Sequence, residues 1–85
     1  GIYEQYLMRL CEYVVTTYLD TAFGRDSVNE YDRRIAIRFL KCELFGLSFD
    51  WIASGMKSDV IEEIRHVNSL CRGLSDEIMR RMGKD

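Results

Sequence analysis

The sequence has 85 residues, of which 47% are hydrophobic and 31% are charged, and its formal net charge is -2. This length allows one domain with a thin core, and the composition is that of a globular chain rather than a disordered one. No apolar run reaches the roughly 18 residues that a membrane span needs, and no basic stripe is present to neutralise nucleic-acid phosphates. We therefore expect one soluble domain over residues 1–85 that contacts neither a membrane nor DNA directly.

The three cysteines, at positions 11, 42 and 71, are odd in number and form no Cys-x-x-Cys pair. This pattern gives no basis for a disulfide framework or a zinc site and favours a reducing compartment. We expect a cytoplasmic protein without a bound metal or cofactor. The apolar pattern begins at Ile2 with no capping residue and no initiator methionine before it, which suggests a part of a longer chain.

The absence of proline and the positions of the glycines favour long helices over a turn-rich β fold. The first predicted helix runs from Ile2 to about Phe23, and Gly24 ends it. Its apolar residues recur at alternating steps of four and three, as on a helix that is buried along one side. This stripe consists of Tyr3, Leu7, Leu10, Val14, Thr17 and Thr21, and it is widened by Tyr6, Cys11, Tyr13 and Tyr18.

Capping residues delimit two further helices. The motif at positions 27–30, Ser-Val-Asn-Glu, has the form of a capping box and predicts a second helix from about Val28 to Ser54. Gly55 stands where a left-handed residue would end that helix, and Ser58 is predicted to cap a third helix that runs to about Met82. The basic residues suited to its C-terminal end are Arg80, Arg81 and Lys84.

The second helix is apolar on two sides, and the third carries one heptad series. One side of the second helix consists of Ile35, Phe39, Cys42, Gly46, Phe49 and Ala53. The roughly opposite side consists of Ile37, Leu40, Leu44, Leu47 and Trp51. The strips between them hold Asp32, Glu43 and Asp50 on one flank and Arg34, Arg38 and Lys41 on the other. The third helix repeats Val60, Ile64, Val67, Cys71, Leu74 and Ile78.

A helix that is apolar on two sides must be covered on two sides, which two other helices of an 85-residue chain can hardly achieve. Each large side chain left in water forgoes about 1.5–3 kcal/mol. A two-fold pair of helical hairpins solves the problem with identical surfaces. We therefore predict an all-α fold of three long helices, whose last two form an antiparallel hairpin and build a four-helix bundle with a second copy.

No group of residues has the arrangement of a catalytic site. His66 is the only histidine and falls on the polar side of the third helix, where a solvated side chain is the expected interpretation. The cysteines lie on or beside the apolar stripes and are interpreted as small buried hydrophobic residues. Gly46, in the middle of a helix, costs about 1 kcal/mol relative to alanine, which indicates a close helix crossing.

The stretch from Phe45 to Ser58 contains Gly46 within a helix, Trp51 followed by Ile52, then Gly55 and the capping Ser58. This stretch resembles the end of the penultimate helix and the start of the last helix in TetR-type bacterial transcription regulators. The resemblance covers about positions 31–82, and the first predicted helix fits the family by length and pattern only.

The resemblance implies a homodimer held together by the last two helices of each subunit, with a small-molecule effector pocket further up each subunit. It also implies an N-terminal helix-turn-helix head that binds operator DNA as a dimer. The head and the middle helices that would complete a pocket are not in this sequence. A free-standing helical module that binds a helix of another protein is the alternative interpretation, and a helical enzyme is the third.

Two sets of site residues follow. Small residues at positions 46 and 53 allow helix axes to approach closely, so we place the dimer contact on that side of the second helix and on the third. The predicted dimer interface consists of Phe39, Cys42, Gly46, Phe49, Ala53, Val67, Cys71, Leu74 and Ile78. Under the family geometry, the predicted ligand-binding residues are Tyr6, Leu10, Tyr13, Leu44, Leu47 and Trp51.

Overall fold

The structure is a computed structural model that describes residues 1–83, apart from the side chains of residues 25 and 75. Its elements are α1 (Ile2–Phe23), a short 3-10 turn (Arg25–Ser27), α2 (Glu30–Ala53), α3 (Val60–Leu70) and α4 (Leu74–Met82). The predicted all-helical fold is confirmed for this part of the chain, which contains no β-strand. None of its helices is long and apolar enough to cross a membrane.

The predicted third helix is two helices in the structure. Gly73 has a φ of 90°, a left-handed conformation that interrupts the helix between Leu70 and Leu74. The backbone N–H of Leu74 donates to the carbonyl of Cys71 at 2.9 Å, in a tight turn. The heptad spacing continues across this turn and therefore does not reveal it. Arg80 and Arg81 lie in the last turn of α4, and Lys84 lies outside the described residues.

The start of α2 differs from the predicted capping box. Asn29 is the capping residue, because its Oδ1 accepts the backbone N–H of Asp32 at 3.1 Å. Ser27 instead donates its hydroxyl to two carbonyls at the end of α1, including that of Gly24 at 2.9 Å. The predicted role of Ser27 as the cap of α2 was therefore wrong, since Asn29, two residues further along, is also a favoured capping residue and takes that role.

The cap of α3 is also displaced by one residue from the prediction. Asp59 rather than Ser58 caps this helix, since its Oδ1 accepts the backbone N–H of Glu62 at 3.1 Å. The carbonyl of Ser58 accepts the indole N–H of Trp51 at 2.8 Å, which ties the start of α3 to the end of α2. Gly55 has a φ of 91°, so its predicted left-handed conformation is confirmed.

Two ion pairs set the antiparallel register of α1 and α2. Arg33 donates from both Nε and one Nη to Asp20, at 3.2 and 2.9 Å, and its side chain is only 8% exposed. Two turns further along, Lys41 donates to Glu12 at 2.9 Å. The partner positions descend on α1 as they rise on α2, so the two helices run in opposite directions.

The buried stripe of α1 is Cys11, Val15 and Leu19, at steps of four. The sequence analysis predicted a different stripe, and its members Tyr3, Leu10 and Val14 are exposed. Around the helix axis, the centre of the predicted stripe lies well over a quarter-turn away from the centre of the buried stripe. Apolar residues cover more than half of the circumference of α1, so their period alone could not show which part contacts α2.

The end of α4 returns to the start of α2. The backbone N–H of Asn29 donates to the carbonyl of Met82 at 2.8 Å, and Val28 forms an isolated β-bridge with Gly83. Val28 and Met82 are both buried. Together with the contact between Trp51 and Ser58, this shows that the α3–α4 segment runs back along the length of α2.

The described chain is open rather than tightly packed. Its radius of gyration is 14.2 Å, against about 12 Å expected for a compact chain of this length. Its accessible surface is 6930 Å², whereas a compact 10.0 kDa protein exposes about 5,200 Å². Summed over the whole chain, the exposed surface is thus about 1,700 Å² larger than that of a compact protein of this mass. The few buried apolar residues are Cys11, Val15, Leu19, Val28 and Met82.

We predict that Leu19→Ala lowers the free energy of unfolding by about 2–4 kcal/mol, because it opens a cavity in the small core beneath α2. Leu10→Ala is the matched control on the same helix, and its side chain is 48% exposed. We expect the control to change stability by less than about 1 kcal/mol. Urea denaturation followed by circular dichroism measures both, and equal losses would contradict the assignment of the buried stripe.

Candidate functional site

The outer seam of α2, defined as Ile35, Phe39, Cys42, Gly46, Phe49 and Ala53, is uncovered in the single chain. All six residues are exposed, and the Phe39 side chain reaches 68%. The opposite side of α2 is half-buried along Ile37, Leu40, Leu44, Leu47 and Trp51. One side of α2 therefore packs within the chain, and the other presents apolar groups to water.

Gly46 lies in the middle of the outer seam. A methyl group on its Cα atom would meet no atom within 4 Å apart from its chain neighbours and the adjacent backbone of its own helix. The close helix crossing that the glycine predicted is therefore absent within the described chain. The space above Gly46 is open to another molecule.

A second apolar strip runs along α3 and α4. Val67, Leu74 and Ile78 are each about half exposed, and Cys71 is half-buried. Of the nine residues predicted for the dimer interface, eight are exposed in the described chain and only Cys71 is partly covered. The structure thus leaves this whole set available for a contact with another molecule.

The cysteines and the histidine lie in different environments. Cys11 is 3% exposed, and its burial raises the pKa of its thiol. Cys42 is exposed on the outer seam, so the expectation that it is buried does not hold within the described chain. His66 is exposed, as predicted. Among the described residues, no three His, Cys, Asp or Glu side chains are grouped so that they could hold a metal ion.

The residues predicted to bind a ligand do not form one cavity in the described chain. Tyr6, Leu10 and Tyr13 are exposed on the side of α1 about 180° away from its buried stripe. Leu44, Leu47 and Trp51 are half-buried on the α1-facing side of α2. Any shared pocket therefore requires groups other than those of residues 1–83.

Two surface depressions lie elsewhere. One, of about 510 Å³, follows the charged side of the contact between α1 and α2 and includes Arg33, Arg34 and Arg38. The other, of about 540 Å³, lies at the start of α3 around Glu62 and His66. Neither is lined by a residue that the sequence analysis assigned to ligand binding.

Charged residues flank the outer seam, with acidic groups on one side and basic groups on the other. The acidic flank holds Glu43 and Asp50, and the basic flank holds Arg34 and Arg38. None of these four forms an ion pair within residues 1–83, whereas Arg33 and Lys41 are paired with α1. The sequence pattern predicted these strips only as dividers between the two apolar sides. Arg38, Glu43 and Asp50 occupy heptad positions directly beside the seam, and this was the signal that could have marked them as interface residues.

A family model for the C-terminal region of TetR-type transcriptional regulators matches residues 2–73. The match includes α1, which resembled that family only by length and pattern, and it ends at the glycine between α3 and α4. Searches of curated proteins and of solved structures found no significant match.

We predict that an aromatic disulfide reagent labels Cys42 much faster than Cys11 in dilute native protein. Cys42 is exposed, whereas Cys11 is enclosed and its raised pKa lowers the thiolate fraction. Stopped-flow absorbance on the single variants Cys42→Ser and Cys11→Ser assigns the phases. If the fast phase survives in Cys42→Ser and disappears in Cys11→Ser, the described positions of these two thiols are wrong.

Proposed function

The chain belongs to the C-terminal regions of TetR-type transcriptional regulators, and from this premise we propose that it joins two regulator subunits into a homodimer. The contact runs along the outer seam of α2 and the apolar strip of α3 and α4. The observation that carries the proposal is the outer seam of α2, whose six residues are all exposed in the single chain, because contiguous apolar surface of this kind marks interaction sites.

The chemistry of the exposed surface supports an interface. Phe39, Phe49 and Ile35 offer the aromatic and aliphatic side chains that fill interface cores. Gly46 and Ala53 let a second helix come close, since neither has a side chain beyond a methyl group. The alternating spacing of four and three residues suits helices that cross at a small angle, as in a four-helix bundle.

A small-molecule effector is the second part of the proposal. The exposed tyrosines of α1 supply aromatic rings and hydroxyl groups, which are suited to form one wall of an apolar pocket. Leu44, Leu47 and Trp51 form the other wall, and parts of the regulator outside residues 1–83 complete the cavity. The effector acts by shifting the population between two arrangements of the joined subunits, and the chain catalyses no reaction.

DNA contact belongs to another part of the regulator. The exposed flanks of this chain carry both signs of charge and its net charge is -2, which is poorly suited to binding phosphates. An N-terminal helix-turn-helix head of the intact regulator binds the operator, and the dimer sets the spacing of two such heads. The protein acts in the cytoplasm, where operator DNA is accessible.

We predict that the chain sediments at about twice its 10.0 kDa monomer mass and that Gly46→Leu dissociates this dimer. The branched side chain enters the helix crossing, at roughly 1–3 kcal/mol of strain for each copy. In the monomer, the same substitution meets open space. Helix content should therefore remain, as circular dichroism will show.

Leu44→Ala is the matched control on the inner side of α2. Its half-buried side chain packs within the chain, so the substitution should cost about 2 kcal/mol of unfolding free energy and leave self-association less affected. A stable wild-type species of 10.0 kDa at high concentration would contradict the homodimer. Capture of a foreign helix by that monomer would favour the interaction-module alternative.

We predict that Tyr13→Phe and Trp51→Phe, in the intact regulator, each weaken the effector-induced release of operator DNA. Tyr13→Phe removes a hydroxyl group while keeping the ring, so it tests whether a hydrogen bond orients the effector. Trp51→Phe makes the ring smaller and removes the hydrogen bond to Ser58, so it tests the shape of the pocket wall. Tyr31→Phe is the control, because Tyr31 is exposed at the start of α2, away from both proposed walls. Fluorescence anisotropy of labelled operator measures release. Unchanged responses in both test variants would remove these two residues from the pocket.

A further inference from the structure

We infer that the charged flanks of the outer seam select a second copy of this chain in one orientation, with the two α2 helices parallel and Arg38 of each beside Glu43 of the other. The inference rests on the proposed homodimer. It adds the direction of the pairing and the residues that determine it.

The heptad positions of α2 place the charges at the edges of the seam. Phe39, Gly46 and Ala53 occupy one series of core positions, and Ile35, Cys42 and Phe49 occupy the other. Glu43 and Asp50 directly follow the core residues Cys42 and Phe49 and lie on one edge of the seam. Arg38 directly precedes the core residue Phe39 and lies on the other edge. These two edge positions form the interhelical ion pairs that set partner choice and orientation in coiled coils.

A parallel pair brings unlike charges together. In parallel two-stranded packing, the edge residue that precedes a core position on one helix faces the partner residue whose number is higher by five. Arg38 therefore faces Glu43 of the second copy, and the two-fold axis repeats the pair. Both side chains are exposed, and neither is ion-paired within the described residues, so both are available.

An antiparallel pair brings like charges together. In that arrangement, each edge faces the same edge of the partner. If the crossing is centred at Gly46, Glu43 lies opposite Asp50 of the second copy, because these residues flank the glycine at three and four positions. The two-fold axis repeats this acidic contact. Like charges that face each other across helices are unfavourable, so this orientation is disfavoured.

The course of the chain is compatible with both orientations. The α3–α4 segment runs back along α2 and is tied to it at both ends, by the contact of Trp51 with Ser58 and that of Asn29 with Met82. Two such hairpins form a bundle of alternating directions in either orientation, so the charged edges of the seam determine the choice. The parallel register also brings Asp32 of the two copies together, since Asp32 lies on the same heptad series as Phe39. This acidic contact lies in the first turn of α2, where the helix dipole stabilises the negative charge.

Glu43→Arg distinguishes the two orientations. In a parallel dimer it sets arginine against Arg38 and should raise the Kd by roughly 2- to 30-fold, the range for two exposed ion pairs. In an antiparallel dimer it sets arginine against Asp50 and should lower the Kd. In the parallel dimer, the double variant Arg38→Glu with Glu43→Arg restores the opposite charges and should return the Kd toward the wild-type value. In an antiparallel dimer, it keeps arginine against Asp50 and therefore keeps the lowered Kd of the single variant. Sedimentation equilibrium measures all three proteins, and circular dichroism confirms their helix content.

The salt dependence of the Kd gives an independent test of whether the facing charges attract or repel each other. The wild-type parallel dimer should weaken as sodium chloride rises from about 0.05 to 0.5 M, because salt screens its attractive pairs. The Glu43→Arg dimer should strengthen over the same range. A wild-type dimer that strengthens with salt, together with a Glu43→Arg dimer that weakens, would overturn the parallel arrangement.

Spin labels measure the orientation directly. The label is attached at Arg34→Cys, an exposed position outside the seam, in protein whose cysteines at positions 11, 42 and 71 are replaced by alanine, with dimer formation checked by sedimentation. In an antiparallel pair centred at Gly46, the two sites lie roughly 36 Å apart along the axis, from twelve residues on each side at about 1.5 Å. In a parallel pair they lie within about 20 Å. A dimer with the long distance overturns this inference alone, whereas a monomer at every concentration overturns the proposed homodimer with it.

Discussion

The ion pair between Arg33 and Asp20 is the contact on which the arrangement of the chain depends. A guanidinium that is almost fully buried must be paired, since an uncompensated buried charge is strongly destabilising. Arg33 lies four residues before Ile37 and therefore on the inner side of α2. Pairing it with α1 turns Leu40 and Leu44 inward and leaves Phe39 on the outside. The second pair, between Lys41 and Glu12, holds the same rotation two turns further along.

Both long helices keep an apolar surface after this contact has formed. The exposed side of α1 carries Tyr6 and Tyr13, and the exposed side of α2 carries Phe39 and Phe49. Each lies away from the surface that the two helices share, so the α1–α2 pair presents one apolar surface on each of its outer sides. In the proposed regulator, the α2 side joins the subunits and the α1 side contributes to the effector site. Coupling between them then passes through the thin core around Val15.

The sequence predicted α2 better than α1 for a physical reason. In α2, charged strips separate the two apolar sides, so the spacing of Leu40 and Leu44 could be distinguished from that of Phe39 and Gly46. In α1, apolar residues cover more than half of the circumference, and the choice of Leu10 over Val15 as a buried residue was wrong. The turn at Gly73 was missed because the heptad spacing continues across it. A pocket could not be located because its residues lie on surfaces that do not meet within residues 1–83.

The apolar seam and its charged edges contribute different properties to the proposed interface. Burial of apolar surface is non-directional, so Phe39 and Phe49 give affinity without determining which way a partner helix runs. Charges at the rim contribute less affinity, but they penalise the wrong orientation and the wrong partner. Arg38 and Glu43 can do this because neither is ion-paired among the described residues, whereas Arg33 and Lys41 are paired with Asp20 and Glu12 of α1. Specificity among related regulators would therefore change through substitutions at these edge positions, while the apolar seam stayed the same.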